Sequence, residues 1–136
     1  MPQRTAAALL AACLAAVLLA ATALPAGAEA NRFAVPGTVT LLELGSPGCP
    51  PCRAMAPILA ELEEDYQDRV AFVSVDVWQR PGVARAFGVR YIPTQIFFDR
   101  RGREVSRHQG FWSRAELVRA LAELGVAPPG RETAAN

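Results

Sequence analysis

The tetrapeptide Cys49-Pro50-Pro51-Cys52 stands where two unlike segments meet, and that junction constrains the fold more than any other feature of the chain. Before it, Val39-Thr40-Leu41-Leu42-Glu43-Leu44 is almost wholly apolar, the pattern of a strand buried on both faces. The loop Gly45-Ser46-Pro47-Gly48 follows. After the tetrapeptide, Met55, Ile58, Leu59 and Leu62 recur at helical spacing, while Glu61, Glu63, Glu64 and Asp65 face water. Prolines in a first helical turn sacrifice no hydrogen bond, because those N–H groups have no intrahelical partner. The four residues therefore open a helix that springs from the end of a buried strand. Pro57, inside that helix, is expected to kink it.

The rest of the chain extends this alternation. Val70 to Val77 reads as a second strand, and its continuous apolar character predicts the centre of a sheet. Pro81 and Gly88 frame a short helix, Val83 to Phe87. Thr94 to Asp99 is a third strand, and Arg100-Arg101-Gly102 turns into a fourth, Arg103 to His108. Ser113 and Glu116 form a capping box for a last helix with Leu117, Val118, Leu121 and Leu124 on one face and Gly125 at its end. The order β-α-β-α-β-β-α implies an α/β fold with a parallel pair joined by a right-handed crossover and a hairpin added at one edge.

Composition narrows the chemistry. All 14 basic residues are arginine, so lysine Schiff-base chemistry and a P-loop lysine are excluded. A net charge of +1 argues against nucleic acid as a partner. One histidine, His108, cannot supply a three-histidine zinc site and reads as a strand-end surface residue. The tip Arg100-Arg101-Gly102-Arg103 reads as solvated.

Residues 6–24 carry no charge, Arg4 precedes them, and Ala26-Gly27-Ala28 or Ala28-Glu29-Ala30 offers a small-residue cleavage site. Residues 1–30 therefore read as a secretory signal peptide. An uncleaved anchor, or a lipoprotein box at Leu10-Ala11-Ala12-Cys13, are the competing readings. Each puts the domain outside the cytoplasm, and the expected location is periplasmic or extracytoplasmic. The expected domain covers residues 31–126, and residues 127–136 form a flexible tail.

Removing the leader leaves two cysteines, three positions apart. A zinc site would need a second pair of ligands, and a structural disulfide across one turn would remove little loop entropy. A redox dithiol remains. Cys49, at the helix N-terminus, sits where the helix dipole favours a thiolate, and is the expected nucleophile. Cys52, one turn further in and expected to be more buried, is the resolving thiol.

These residues resemble the thioredoxin family over about Val39 to Gly125. Cys49-Pro50-Pro51-Cys52 takes the place of the family's Cys-Gly-Pro-Cys, and Pro57 that of its helix proline. Ile92-Pro93-Thr94 is similar to its Ile-Pro-Thr, Gly102 and Gly110 to its hairpin and post-strand glycines, and Glu43 falls where thioredoxins carry a buried aspartate. The resemblance implies a thioredoxin-like fold: a central mixed four-stranded sheet flanked by helices, with the N-terminal strand and helix reduced. It implies a cis bond before Pro93 that brings the Ile92 backbone beside Cys49 as an edge for a substrate peptide. It implies that Glu43 accepts the Cys52 proton while a mixed disulfide resolves. Ile92, Pro93, Gly48, Pro50 and Pro51 are the residues expected to meet substrate.

Gly48 stands where the family has tryptophan, so an aromatic shield beside the cysteines is expected to be missing. Trp78, just past the second strand, is expected to pack near the site. The resemblance implies a monomer without cofactor or metal that acts on protein thiols and disulfides and draws electrons from a membrane thiol donor. The Pro-Pro insert, lacking both imidazole and N–H, favours a reductase. Cytochrome c maturation, a disulfide oxidase or isomerase, and a non-catalytic interaction module are the alternatives.

Overall fold

Period-two alternation in the apolar strands decides how the helices distribute. The computed structural model describes residues 32–130, so the expected signal peptide and the end of the expected tail lie outside the described residues. Strand β1 (Val39–Gly45) leads into helix α1 (Pro50–Tyr66), then a 3-10 turn (Gln67–Arg69) and strand β2 (Val70–Asp76). Helix α2 (Pro81–Ala86), strands β3 (Thr94–Phe98) and β4 (Glu104–Gln109) and helix α3 (Arg114–Glu123) complete the order. The sheet runs β2-β1-β3-β4, with β1 and β2 parallel and the other two pairings antiparallel.

Successive residues of β1 and β3 face opposite sides. Val39, Leu41 and Phe97 meet Met55, Leu59, Leu62 and Tyr66 of α1 and Leu117 and Leu121 of α3. Leu42, Leu44, Ile96 and Phe98 point the other way, to Val83, Phe87 and Ala34. The sheet thus separates two apolar cores, and every residue of β1 is buried.

Strand β2 lies at the edge of the sheet and not at its centre. Its apolar run is a property of its two faces, whereas an edge is defined by whether another strand pairs in plane; β1 takes one side, and the described chain before β1 is turn. Ser74 is exposed and only Val70 and Val75 are fully buried. Smaller differences follow local chemistry. Helix α2 starts at Pro81, two residues earlier than expected, and an irregularity between Phe97 and Phe98 sets β4 one residue later. Helix α1 continues through Pro57. The capping box forms, with the Glu116 carboxylate accepting from the Ser113 N–H at 2.7 Å. Part of the expected flexible tail is tied down: Arg69 donates to the Ala127 carbonyl at 2.8 Å, and Pro129 is buried. The hairpin tip is solvated as expected, with Arg100, Arg101 and Arg103 exposed, and its turn is held by Asp99, which pairs with Arg103 and accepts from the Arg101 N–H.

Among the described residues no helix is long and apolar enough to cross a membrane.

Candidate active site

Cys49 caps α1 in an extended conformation (φ −90°, ψ 117°), the geometry that a following proline enforces. Its carbonyl accepts the first helical bond from Arg53 at 3.0 Å, and its N–H donates to Ser46 across the loop at 3.1 Å. Pro50 and Pro51 occupy the first two helical positions, so Cys52 carries the first free N–H of the helix. Both cysteines are free thiols. Both are buried, Cys49 at 7% and Cys52 at 6% exposure, so burial barely separates them. What distinguishes them is their partners. The Cys52 thiol is hydrogen-bonded to Cys49 and to the Ser46 backbone, and burial, reinforced by Cys49, pushes its pKa up to about 12. Cys52 therefore holds its proton at neutral pH.

The Cys49 thiol donates to the Ile92 carbonyl at 3.8 Å. The Ile92–Pro93 peptide bond is cis. Gly110, at a φ of 103° that favours glycine, donates its N–H to the Pro93 carbonyl at 2.7 Å, and the Thr94 hydroxyl donates to the Tyr91 carbonyl at 2.6 Å. The loop before β3 is thus held on both sides against Cys49.

Glu43 lies on the α1 face of β1, between Ser74 and Gln95 in the cross-strand register. It is 8% exposed. Burial raises its carboxyl pKa to about 7, opposed in part by a hydrogen bond with the Ser74 side chain. Gly45 brings the carboxyl and the thiol together. A Cβ there would collide with the Glu43 carboxylate and stand 3.3 Å from the Cys52 sulfur, so both groups occupy the space that glycine leaves open. A half-open cavity of about 840 Å³ beside β2 is lined by Glu43, Gly45, Cys52, Arg53, Ser74 and Asp76.

The aromatic shield is not missing; it comes from another element. A Cβ on Gly48 would collide with the Trp78 indole, with Cη2 at 2.7 Å, so the ring lies directly on the residue before Cys49. The Asp76 carboxylate accepts from the Trp78 N–H at 3.0 Å, and Val77 donates to the Gly45 carbonyl at 2.9 Å, which ties the Trp78 turn to the loop before the cysteines. Gly45, Ser46 and Ser74 escaped the sequence reading. The i, i+2 spacing of Glu43 and Gly45 was the available signal for one of them, since it puts both on one strand face. His108 stacks on Trp112, with ring centroids 4.0 Å apart. Among the described residues no group of three or more His, Cys, Asp or Glu side chains could hold a metal ion.

The thioredoxin family profile matches residues 31–123. The chain belongs to the thioredoxin family. Thioredoxin 1 of Synechococcus elongatus is 35% identical over 81 residues, covering 60% of this chain and 75% of that protein. The thioredoxin of Alicyclobacillus acidocaldarius is 34% identical over 84 residues, covering 62% and 79%. The chloroplastic M-type thioredoxin of Zea mays is 39% identical over 61 residues, but those cover 45% of this chain and only 36% of that protein. Among solved structures, malaria parasite thioredoxin-2, described as a component of that parasite's protein secretion machinery, superposes with a TM-score of 0.60. It is 24% identical and covers 63% of this chain and 82% of that one, a likeness of fold alone. As a thioredoxin-family member with its cysteine pair in place, the chain is a thiol–disulfide oxidoreductase.

Proposed function

We propose that the chain is a protein-disulfide reductase working in the periplasm or another extracytoplasmic space. The observation that carries the catalytic part is the shared space over Gly45, where a protonated Cys52 thiol and the Glu43 carboxyl lie together. The Cys49 thiolate attacks one sulfur of a substrate disulfide, forms a mixed disulfide and expels the other substrate sulfur as a thiolate. Cys52 then gives its proton to the Glu43 carboxylate and attacks the Cys49 sulfur. The Cys49–Cys52 disulfide forms, and the first substrate sulfur leaves as a thiolate. Glu43 returns its proton toward solvent through the cavity beside β2. Two electrons have passed from enzyme to substrate, and a membrane thiol donor restores the dithiol. Ile92, Pro93 and Gly48 border the incoming disulfide, and Pro50 and Pro51 shape the turn that presents Cys49.

The direction of flow rests on the Pro-Pro insert. It offers the Cys49 sulfur neither imidazole nor N–H, and a less stabilised thiolate makes a less oxidising couple. The location rests on residues 1–30, read as a signal peptide. The deciding experiment is the equilibrium reduction potential of the exported chain against glutathione. A value near roughly −270 mV, that of thioredoxin, supports the reductase, whereas one near roughly −120 mV makes the chain a disulfide donor. Cys52→Ser is expected to accumulate substrate as a mixed disulfide, and Cys49→Ser to lose turnover altogether; a Cys52→Ser chain that captures no thiol partner sinks the mechanism.

A further inference from the structure

Strand β2 is a sheet edge with nothing to blunt it. Its 7 residues pair with β1 one for one, without a bulge, and Val70 to Val75 carries no charge, proline or glycine. Natural proteins cover or break up such edges, because a regular row of unpaired N–H and C=O groups accepts another strand. Val77 donates its N–H to Gly45 on β1, so by alternation Ala71, Val73 and Val75 also turn their backbone to β1. Phe72 and Ser74 turn theirs outward. Beside this edge, Arg53, Ala56, Ala60 and Glu63 form one exposed stripe along α1 and line the cavity together with Phe72 and Ser74. Among the described residues neither Arg53 nor Glu63 enters an ion pair. Both features are self-complementary. Reversed about Val73, β2 sets Phe72 against Ser74, Ala71 against Val75 and Val70 against Asp76, and no charge meets a like charge. Reversed about Ile58, the stripe sets Arg53 against Glu63 and Ala56 against Ala60. The two centres coincide in space. Helix α1 runs back along the parallel β1–β2 pair, from Cys52 beside Gly45 to the 3-10 turn before Val70. Its 17 residues span about 25 Å and the 7 of β2 about 23 Å, so their midpoints, Ile58 and Val73, lie side by side.

We propose that two copies of the chain pair β2 to β2, antiparallel, about a two-fold axis at Val73, with Arg53 of each α1 on Glu63 of the other copy. The two sheets join into one of eight strands, four from each copy. One patch meets itself, the arrangement of a closed two-fold dimer. Phe72 and Ser74 exchange N–H···O bonds in both directions across the axis, and Val73 faces its own copy in the position without hydrogen bonds. Ala56 and Ala60 are small, so the two helices can approach. Surface ion pairs contribute little to affinity, so the strand pairing holds the copies together while the two Arg53–Glu63 pairs fix the register. The monomer that the family resemblance implies is set aside for a physical reason. Phe33 and Ala34, ahead of β1, pack on the α2 side of the sheet, and no described segment pairs with the outer side of β2.

Sedimentation equilibrium of the exported chain tests the association, and charge reversal tests its register. A reversible monomer–dimer equilibrium is expected. Glu63→Arg sets arginine against Arg53 twice in each dimer and is expected to weaken association at least about tenfold, equivalent to about 1.4 kcal/mol. Adding Arg53→Glu restores opposite charges and is expected to return the dissociation constant to within about threefold of the parent, which also shows that the reversed chains fold. Crosslinking reads the strand register independently. In a chain carrying Cys13→Ser, Cys49→Ser and Cys52→Ser, Val73→Cys places two Cα atoms about 4.5 Å apart across the axis, a span that a disulfide bridges. Oxidised glutathione is expected to join these thiols, and is itself reduced to two glutathione thiols. Ala71→Cys in the same background lies about 13 Å from its own copy and is expected to stay uncrosslinked. A chain that remains monomeric at millimolar concentration overturns the pairing. It does so whether the Phe72 and Ser74 amides exchange fast with solvent, marking a bare edge, or slowly, marking the residues before Arg32 as its cover. A dimer that Glu63→Arg leaves intact, or one that crosslinks through Ala71→Cys and not Val73→Cys, overturns it as well.

Discussion

A carboxyl group with a pKa near 7 holds a proton in the folded chain under conditions where the unfolded chain has released it. For Glu43 the window runs from the ordinary value of 4.5 to about 7. Across it the folded state binds more protons than the unfolded state, so this contribution to stability is complete below the window and is lost as pH rises through it, by up to about 3 kcal/mol. Glu43→Gln is expected to flatten that slope and to be more stable than the parent at pH 8; urea unfolding at pH 5 and pH 8 measures it, and parallel curves refute the assignment. The same substitution is expected to slow resolution of a mixed disulfide by about a hundredfold, the usual scale of general-base loss. Gly48 carries a second prediction. Gly48→Ala places a methyl group against the indole, but Trp78 is exposed and can swing aside, so the stability cost should stay below about 1 kcal/mol. Tryptophan emission should shift to the red as Trp78 enters water, and the shift should vanish in a Trp78→Phe background, where Trp112 alone reports.

Helix α1 gives the site its polarity, because its N-terminus concentrates N–H groups and the positive end of the dipole at Cys49. With Pro50 and Pro51 in the first turn, two of those groups are missing. Pro51→His restores an N–H and adds an imidazole, both of which stabilise a thiolate. The reduction potential is expected to rise by a few tens of millivolts, at about 30 mV for each 1.4 kcal/mol. An unchanged or lower potential would show that the insert does not tune the couple. Strand β1 supplies the other half of the site through its alternation, which turns Glu43 and Gly45 to the α1 face and Leu42 and Leu44 away from it. The strand, the helix and the cysteines at their junction were legible in the sequence, whereas the face that Glu43 and Gly45 share was hidden in a strand that is almost wholly apolar. The edge position of β2 was not legible either, since hydropathy reports what covers a strand's faces and is silent on its in-plane neighbours.

Over the whole molecule, the two cores pack on either side of the sheet, and the end of the described chain is anchored by Val126 in the core of α1 and α3 and by the bond from Arg69, in the 3-10 turn after α1, to Ala127. Expression in a Gram-negative host is expected to release a chain that begins at Glu29 or Asn31, which intact mass measurement checks; a chain retaining residues 1–30 in the membrane fraction would instead mark them as an anchor. The sequence by itself determined the order of elements, the cysteine pair, the capping box of the last helix and the candidate base, because each depends on contacts within a turn or along one strand. Only the tertiary structure decided the position of Trp78 on Gly48 and the meeting of Glu43 and Cys52 over Gly45. Those pairs come from different loops and elements, and the distance between them is set by sheet register and by helices packing on it, which no local pattern encodes.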